Sequence, residues 1–90
     1  MSDYREYLEE QLKDPEFKEE YDQMGAQYEF ARQVIAARIA AGMSQAELAK
    51  KVGTTQANIS KIEHADMNPS FAFAQRIANG LGKRLSFSMV

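Results

Sequence analysis

The chain contains no cysteine, so disulfide frameworks, thiolate nucleophiles and cysteine metal ligands are excluded. It has a single histidine, His64, and no grouping of acidic residues with metal-ligand spacing, nor the clustered glycines of a phosphate loop. His64 reads as a surface residue near a helix end rather than a general base, and the carboxylates are spread along exposed helices. No enzyme activity, metal or cofactor is expected. No apolar run approaches the roughly eighteen residues that a membrane span needs, and Met1 is not followed by a signal-peptide pattern, so a cytoplasmic protein without a membrane partner is expected. Ninety residues leave room for one small core, which makes a stabilising partner attractive.

What is present is an uneven distribution of charge. Residues 1–27 carry nine acidic and three basic groups, and residues 28–90 carry four acidic and eight basic ones. The net charges of −6 and +4 make up the overall −2 and point to different partners for the two parts. The basic part is suited to approach phosphates, whereas the acidic part suits a basic protein or forms a solvated helix face.

Tyr4, Tyr7, Leu8 and Leu12 recur at helical spacing between charges, giving a thin apolar stripe over about residues 3–13. Asp14-Pro15 restarts the helix, because proline fits the first helical position and aspartate caps it. Phe17, Tyr21, Met24 and Tyr28 continue the pattern, with a joint at Gly25. A further helix over about 28–41 is expected to turn Ala31, Val34, Ile35, Ala36 and Ile39 inward and to end at Gly42.

Residues 45–64 have the spacing of two short helices crossing at a tight turn. Ser44 caps the first, with Glu47 closing a capping box, and Leu48, Ala49 and Val52 form its inner face. Gly53 takes positive φ, Thr55 caps the second helix, and Ile59 and Ile62 point back at the first. The second helix then presents Gln56, Ala57, Asn58, Ser60 and Lys61 outward, a short polar surface of the kind that enters the DNA major groove. A loop over 65–70 contains Pro69, and a last helix capped by Ser70 spans about 71–81, with Phe73, Ala74, Ile77, Ala78 and Leu81 inward and Gly80 weakening its final turn. Leu85, Phe87 and Met89 alternate with polar residues, which is strand periodicity. A lone strand cannot satisfy its backbone, so pairing with the same strand of a second copy is expected, setting two recognition helices side by side for a palindromic site.

The run Ser-Gln-Ala-Glu-Leu-Ala-Lys-Lys-Val-Gly-Thr-Thr-Gln closely resembles the DNA-binding domains of the Xre/Cro family of phage and bacterial repressors, and the resemblance extends from about Glu29 to Leu81. It implies phosphate contacts from Gln45 at the start of the first helix and from Asn68 in the loop after the second. Gln56, following Thr55, is the foremost candidate for reading adenine, Ala57 for a thymine methyl, and Asn58, Ser60 and Lys61 lie further along. Two positions depart from the pattern. Ala65 stands where the family usually has glycine, at a cost of about 1 kcal/mol if the backbone is left-handed. Asp66 stands where a basic residue is common, and would weaken attraction to phosphate.

The two ends, Tyr-Leu-Glu-Glu-Gln-Leu-Lys-Asp-Pro-Glu-Phe-Lys-Glu-Glu-Tyr and Leu-Gly-Lys-Arg-Leu-Ser-Phe, look like those of HigA-type antitoxins. That resemblance implies an operon autorepressor which also binds and blocks a small basic mRNA-cleaving toxin of the RelE/HigB type. Tyr4, Tyr7, Leu8, Leu12, Phe17 and Tyr21 would be the toxin anchors, unless these residues pack on the protein's own helices. A stand-alone phage- or plasmid-type repressor is the alternative, and a protein-bridging module that has lost DNA binding is a third.

The expected fold is therefore mainly α: a five-helix Xre/Cro-like helix-turn-helix domain with an N-terminal helical extension and a C-terminal β-strand pairing across a homodimer. The expected divisions are an acidic extension over 1–27, a DNA-binding domain over 28–82 and a dimerisation strand over 83–90 formed by Leu85, Phe87 and Met89. The expected partners are double-stranded operator DNA, the toxin and a second copy.

Overall fold

A computed structural model describes residues 2–89, leaving the side chains of residues 2–5, 8 and 21–23 outside the description and with them the proposed anchors Tyr4, Leu8 and Tyr21. The described residues form six helices rather than five: α1 Ser2–Gln11, α2 Pro15–Gln23, α3 Gly25–Ala40, α4 Gln45–Val52, α5 Gln56–Glu63 and α6 Phe71–Gly80. Local chemistry accounts for most of these boundaries. The Asp14 carboxylate accepts the Glu16 backbone N–H at 2.9 Å ahead of Pro15, so α1 and α2 are separate helices. Ser44 and Glu47 complete the capping box of α4, and the Thr55 and Ser70 hydroxyls accept from Asn58 and Phe73 to start α5 and α6. The third helix begins at Gly25 rather than near Tyr28, since the break that separates it from α2 falls at Met24.

The core is built from α3 to α6. Leu48, Ile59, Ile62 and Ile77 are its largest fully buried side chains, joined by Val34, Ala49 and Val52 and flanked by Phe30, Met43, Met67, Phe73 and Leu81. Helix α4 packs on α5 and α6, and α3 packs on α5. Among the described side chains, none of α1 or α2 belongs to this core. Helix α2 lies on α3, where the Phe17 and Tyr28 rings stack with centroids 6.4 Å apart. Tyr7 stays exposed, and Leu12 and Phe17 are half-buried.

Two further sequence expectations are corrected. Helix α3 buries Ala31 and Val34, but Ile35 is only half-buried, Ala36 is exposed and Ile39 is 49% exposed. Apolar residues lie on several sides of this helix, and the face that turns inward is set by α4–α6, which the helix's own pattern does not encode. Among the described residues no strand forms: residues 83–89 run as irregular chain, with Phe87 edge-on to the Phe71 ring at a centroid distance of 4.9 Å. Alternation marks a strand only where another edge supplies the ladder, and a single copy offers none. Leu85 is half-buried, while Phe87 and Met89 are 69% and 100% exposed.

Candidate nucleic-acid interface

The crossing of α4 and α5 depends on small residues at close approach. Ala49 is buried where the helices meet, and Gly53 adopts φ 82° to turn the chain between them, a conformation that a β-carbon would strain. Arg76 from α6 holds this turn from outside. Its Nη2 donates to the carbonyls of Val52 at 2.8 Å and Gly53 at 3.2 Å, while its guanidinium lies over the Phe73 ring at 5.6 Å. Sequence reasoning had given Arg76 no role.

A second clamp fixes the far end of the motif. Arg38 Nε donates to Glu63 Oε2 at 2.6 Å, its Nη2 donates to Oε1 at 3.0 Å, and its Nη1 donates to the Met43 carbonyl at 2.9 Å. This bidentate ion pair ties α3 to the last residue of α5 and to the chain entering α4. Glu63 holds the guanidinium even more firmly in its charged form, raising its pKa from an already high value against the opposing effect of burial. Gln45 joins the clamp by donating from Nε2 to Glu63 Oε1 at 3.0 Å. The expected phosphate contact is therefore oriented by the end of α5, and Gln45 itself is half-buried.

Helix α5 divides its expected contact residues into two groups. Thr55, Gln56, Ala57 and Lys61 are exposed. Asn58 and Ser60 are half-buried and locally engaged: Asn58 Nδ2 donates to Thr54 Oγ1 at 3.0 Å, and Ser60 Oγ lies 3.4 Å from His64 Nδ1. Gln56, one residue past the N-cap, is exposed, and its amide carries both a donor and an acceptor. Lys61 adds the cationic side chain of the exposed face.

In the loop after α5, Ala65 takes the left-handed conformation, with φ 55°, at the position where the family usually has glycine. Ala65 N–H donates to Ile62 O at 3.1 Å and Asp66 N–H to Lys61 O at 2.8 Å, the paired bonds that close a helix around a left-handed residue. Gln27 of α3 reaches this loop, donating from Nε2 to the carbonyls of Ala65 at 2.7 Å and Met67 at 3.0 Å. Asn68 follows directly and is exposed.

This geometry agrees with the comparison against known families. A helix-turn-helix family model matches residues 34–87, more than half of the chain. The chain belongs to the Xre/Cro-type helix-turn-helix family. At that level it is a DNA-binding transcriptional regulator, with α4 and α5 inside the matched segment. No curated protein and no solved structure matches the chain. The helix-turn-helix match leaves α1, α2 and the first part of α3 outside it. Among the described residues, no helix is long and apolar enough to cross a membrane.

Proposed function

We propose that this helix-turn-helix protein is an antitoxin: as a homodimer it represses its own operon through α5, and it neutralises a small basic RelE/HigB-type mRNA-cleaving toxin with the acidic extension of residues 1–27. The observation that carries this reading is the extension itself. It has a net charge of −6, lies outside the family match, and adds none of its described side chains to the core, so its run of carboxylates is not accounted for by the packing of the helix-turn-helix domain. Tyr7 is exposed among carboxylates, an arrangement that suits capture of a basic surface by electrostatic steering around an aromatic anchor. Leu12 and Phe17 extend that anchor, although Phe17 also braces α2 on Tyr28.

Dimerisation is proposed at the opposite end. Phe71, Phe87 and Met89 form an exposed apolar surface beside the C-terminal segment, which a second copy would cover with its own Leu85, Phe87 and Met89. Pairing of the two segments supplies the ladder partner that each lacks alone.

The test is co-expression of the tagged full chain with its neighbouring genes, beside a variant in which Glu6, Glu9, Glu10, Glu16, Glu19 and Glu20 are changed to Gln. A small basic protein that cleaves mRNA when freed, is silent when bound, and is lost from the variant is the expected result. If neither form retains such a protein while both shift promoter DNA, the protein is a stand-alone repressor.

A further inference from the structure

We infer that Gln27 is a positioning residue for DNA binding: it shapes the loop after the recognition helix so that Asn68 meets a phosphate, and it does so from outside the segment that defines the helix-turn-helix family. The inference rests on the DNA-binding reading and extends it to a residue in the first turn of α3.

The geometry is specific. One side-chain nitrogen donates to two carbonyls, Ala65 O at 2.7 Å and Met67 O at 3.0 Å, on alternate residues of a single turn. An amide nitrogen carries the two hydrogens that this requires, and a carboxylate in its place would set its oxygens against both carbonyls. The bridge spans a loop that needs external support. Ala65 is the non-glycine residue with positive φ among the described residues, and it occupies the left-handed helix-closing position that glycine usually fills. Its strain, on the order of 1 kcal/mol, persists only where surrounding contacts hold it. Met67 is anchored on the core, so the Gln27 bridge leaves the exposed Asn68 directly after a fixed stretch of backbone.

Gln27 is itself held in place. It precedes Tyr28, whose ring stacks on Phe17 of α2, and it lies on the inward stripe that continues through Ala31, Val34 and Arg38. That stripe therefore has a polar group at each end. Arg38 fixes the end of α5 through Glu63, and Gln27 fixes the loop beyond it. The extension and the DNA-facing loop share one helical turn.

The experiment compares wild type, Gln27→Ala, Gln27→Glu, Asn68→Ala and the Gln27→Ala/Asn68→Ala double variant in the full chain. Each is titrated against the promoter duplex of its own gene and an unrelated duplex of equal length, at several salt concentrations and well below each variant's melting temperature. Gln27→Ala is expected to weaken both duplexes about three- to tenfold, less than full loss of a hydrogen bond to the charged phosphate because the loop is loosened rather than Asn68 removed, and Gln27→Glu to weaken them further. The sequence preference and the slope against salt should stay unchanged, since no cation is removed. In the Asn68→Ala background, Gln27→Ala should cost nothing more. An unchanged affinity for Gln27→Ala, or an equal loss with and without Asn68, overturns the inference while leaving DNA binding standing. Failure of wild type to bind either duplex instead overturns the DNA-binding reading and this inference with it.

Discussion

Gly80 tests how far the packing of α4 against α6 governs stability. By its sequence it is a helix-weakening residue, and Gly80→Ala should then gain up to about 1 kcal/mol of helix propensity. The tertiary structure reverses that sign. Gly80 is buried, and a β-carbon there would lie 2.7 Å from Val52 Cγ2 and 3.6 Å from Leu48 Cδ1. The second distance is ordinary contact, but the first is not, and Val52 is a short β-branched side chain with few alternative rotamers, itself buried. Overpacking of this kind costs roughly 1–3 kcal/mol. Gly80 is the last residue of α6, where the propensity gain is smaller than in a helix interior, so the clash wins and Gly80→Ala loses about 1–2 kcal/mol. For a chain of this size each kcal/mol corresponds to about 4–8 °C in melting temperature. Urea denaturation of wild type, Gly80→Ala, Val52→Ala and the double variant isolates the contact, because the cavity cost of Val52→Ala drops out of the cycle. With Val52 truncated, Gly80→Ala should become neutral or stabilising. A Gly80→Ala protein as stable as wild type, or one equally destabilised in both backgrounds, would refute the reasoning.

The other predictions bear on the clamps, the caps and the two surfaces. Arg38→Met leaves the Glu63 side chain, only 4% exposed, without its cation and should cost about 3–5 kcal/mol by urea denaturation, whereas Arg38→Met/Glu63→Leu should recover most of that loss. Below the ordinary carboxylate value of 4.5 the protein should lose stability. The Arg32 hydrogen bond lowers the pKa of Glu29, and the Ser44 backbone bond lowers that of Glu47. Their stabilisation is thus complete above 4.5 and disappears as pH falls through the folded-state values. Melting temperature against pH should accordingly fall less steeply for Glu47→Gln than for wild type. Gln56→Ala should weaken promoter binding by about 1–3 kcal/mol and relax preference at one base pair, and an unchanged preference in a binding-site selection would remove Gln56 from base reading. Phe87→Ser/Met89→Ser should halve the mass seen by light scattering if the C-terminal segments join two copies; an unchanged mass would place the dimer contact elsewhere.

The parts of this protein legible in its sequence are those whose causes are local. Ser44 with Glu47, Thr55, Ser70 and Asp14 start helices through bonds to residues two or three positions on, so the cap and the helix it serves are read together. The helix-turn-helix was legible because Leu48, Ala49, Val52, Gly53, Ile59 and Ile62 meet across a short turn, and the motif marked Ala65 as a position where glycine is usual, though not that its backbone is left-handed. Residues whose partners lie far along the chain were not legible. Gln27 meets a loop 38 to 40 residues away, Arg38 meets Glu63 at a separation of 25, and Arg76 meets Val52 at 24. The spacing of Gln27, Ala31, Val34 and Arg38 marks a helix face, yet polar residues at its ends suggest solvent until the loop and α5 are seen against them. The same dependence turned Ile39 outward, made Gly80 a point of close packing and left the alternating C-terminal residues without a ladder. Local hydrogen bonding and periodicity determined which helices exist and where most begin; only tertiary packing decided which face of each is buried, because that choice depends on surfaces other segments supply.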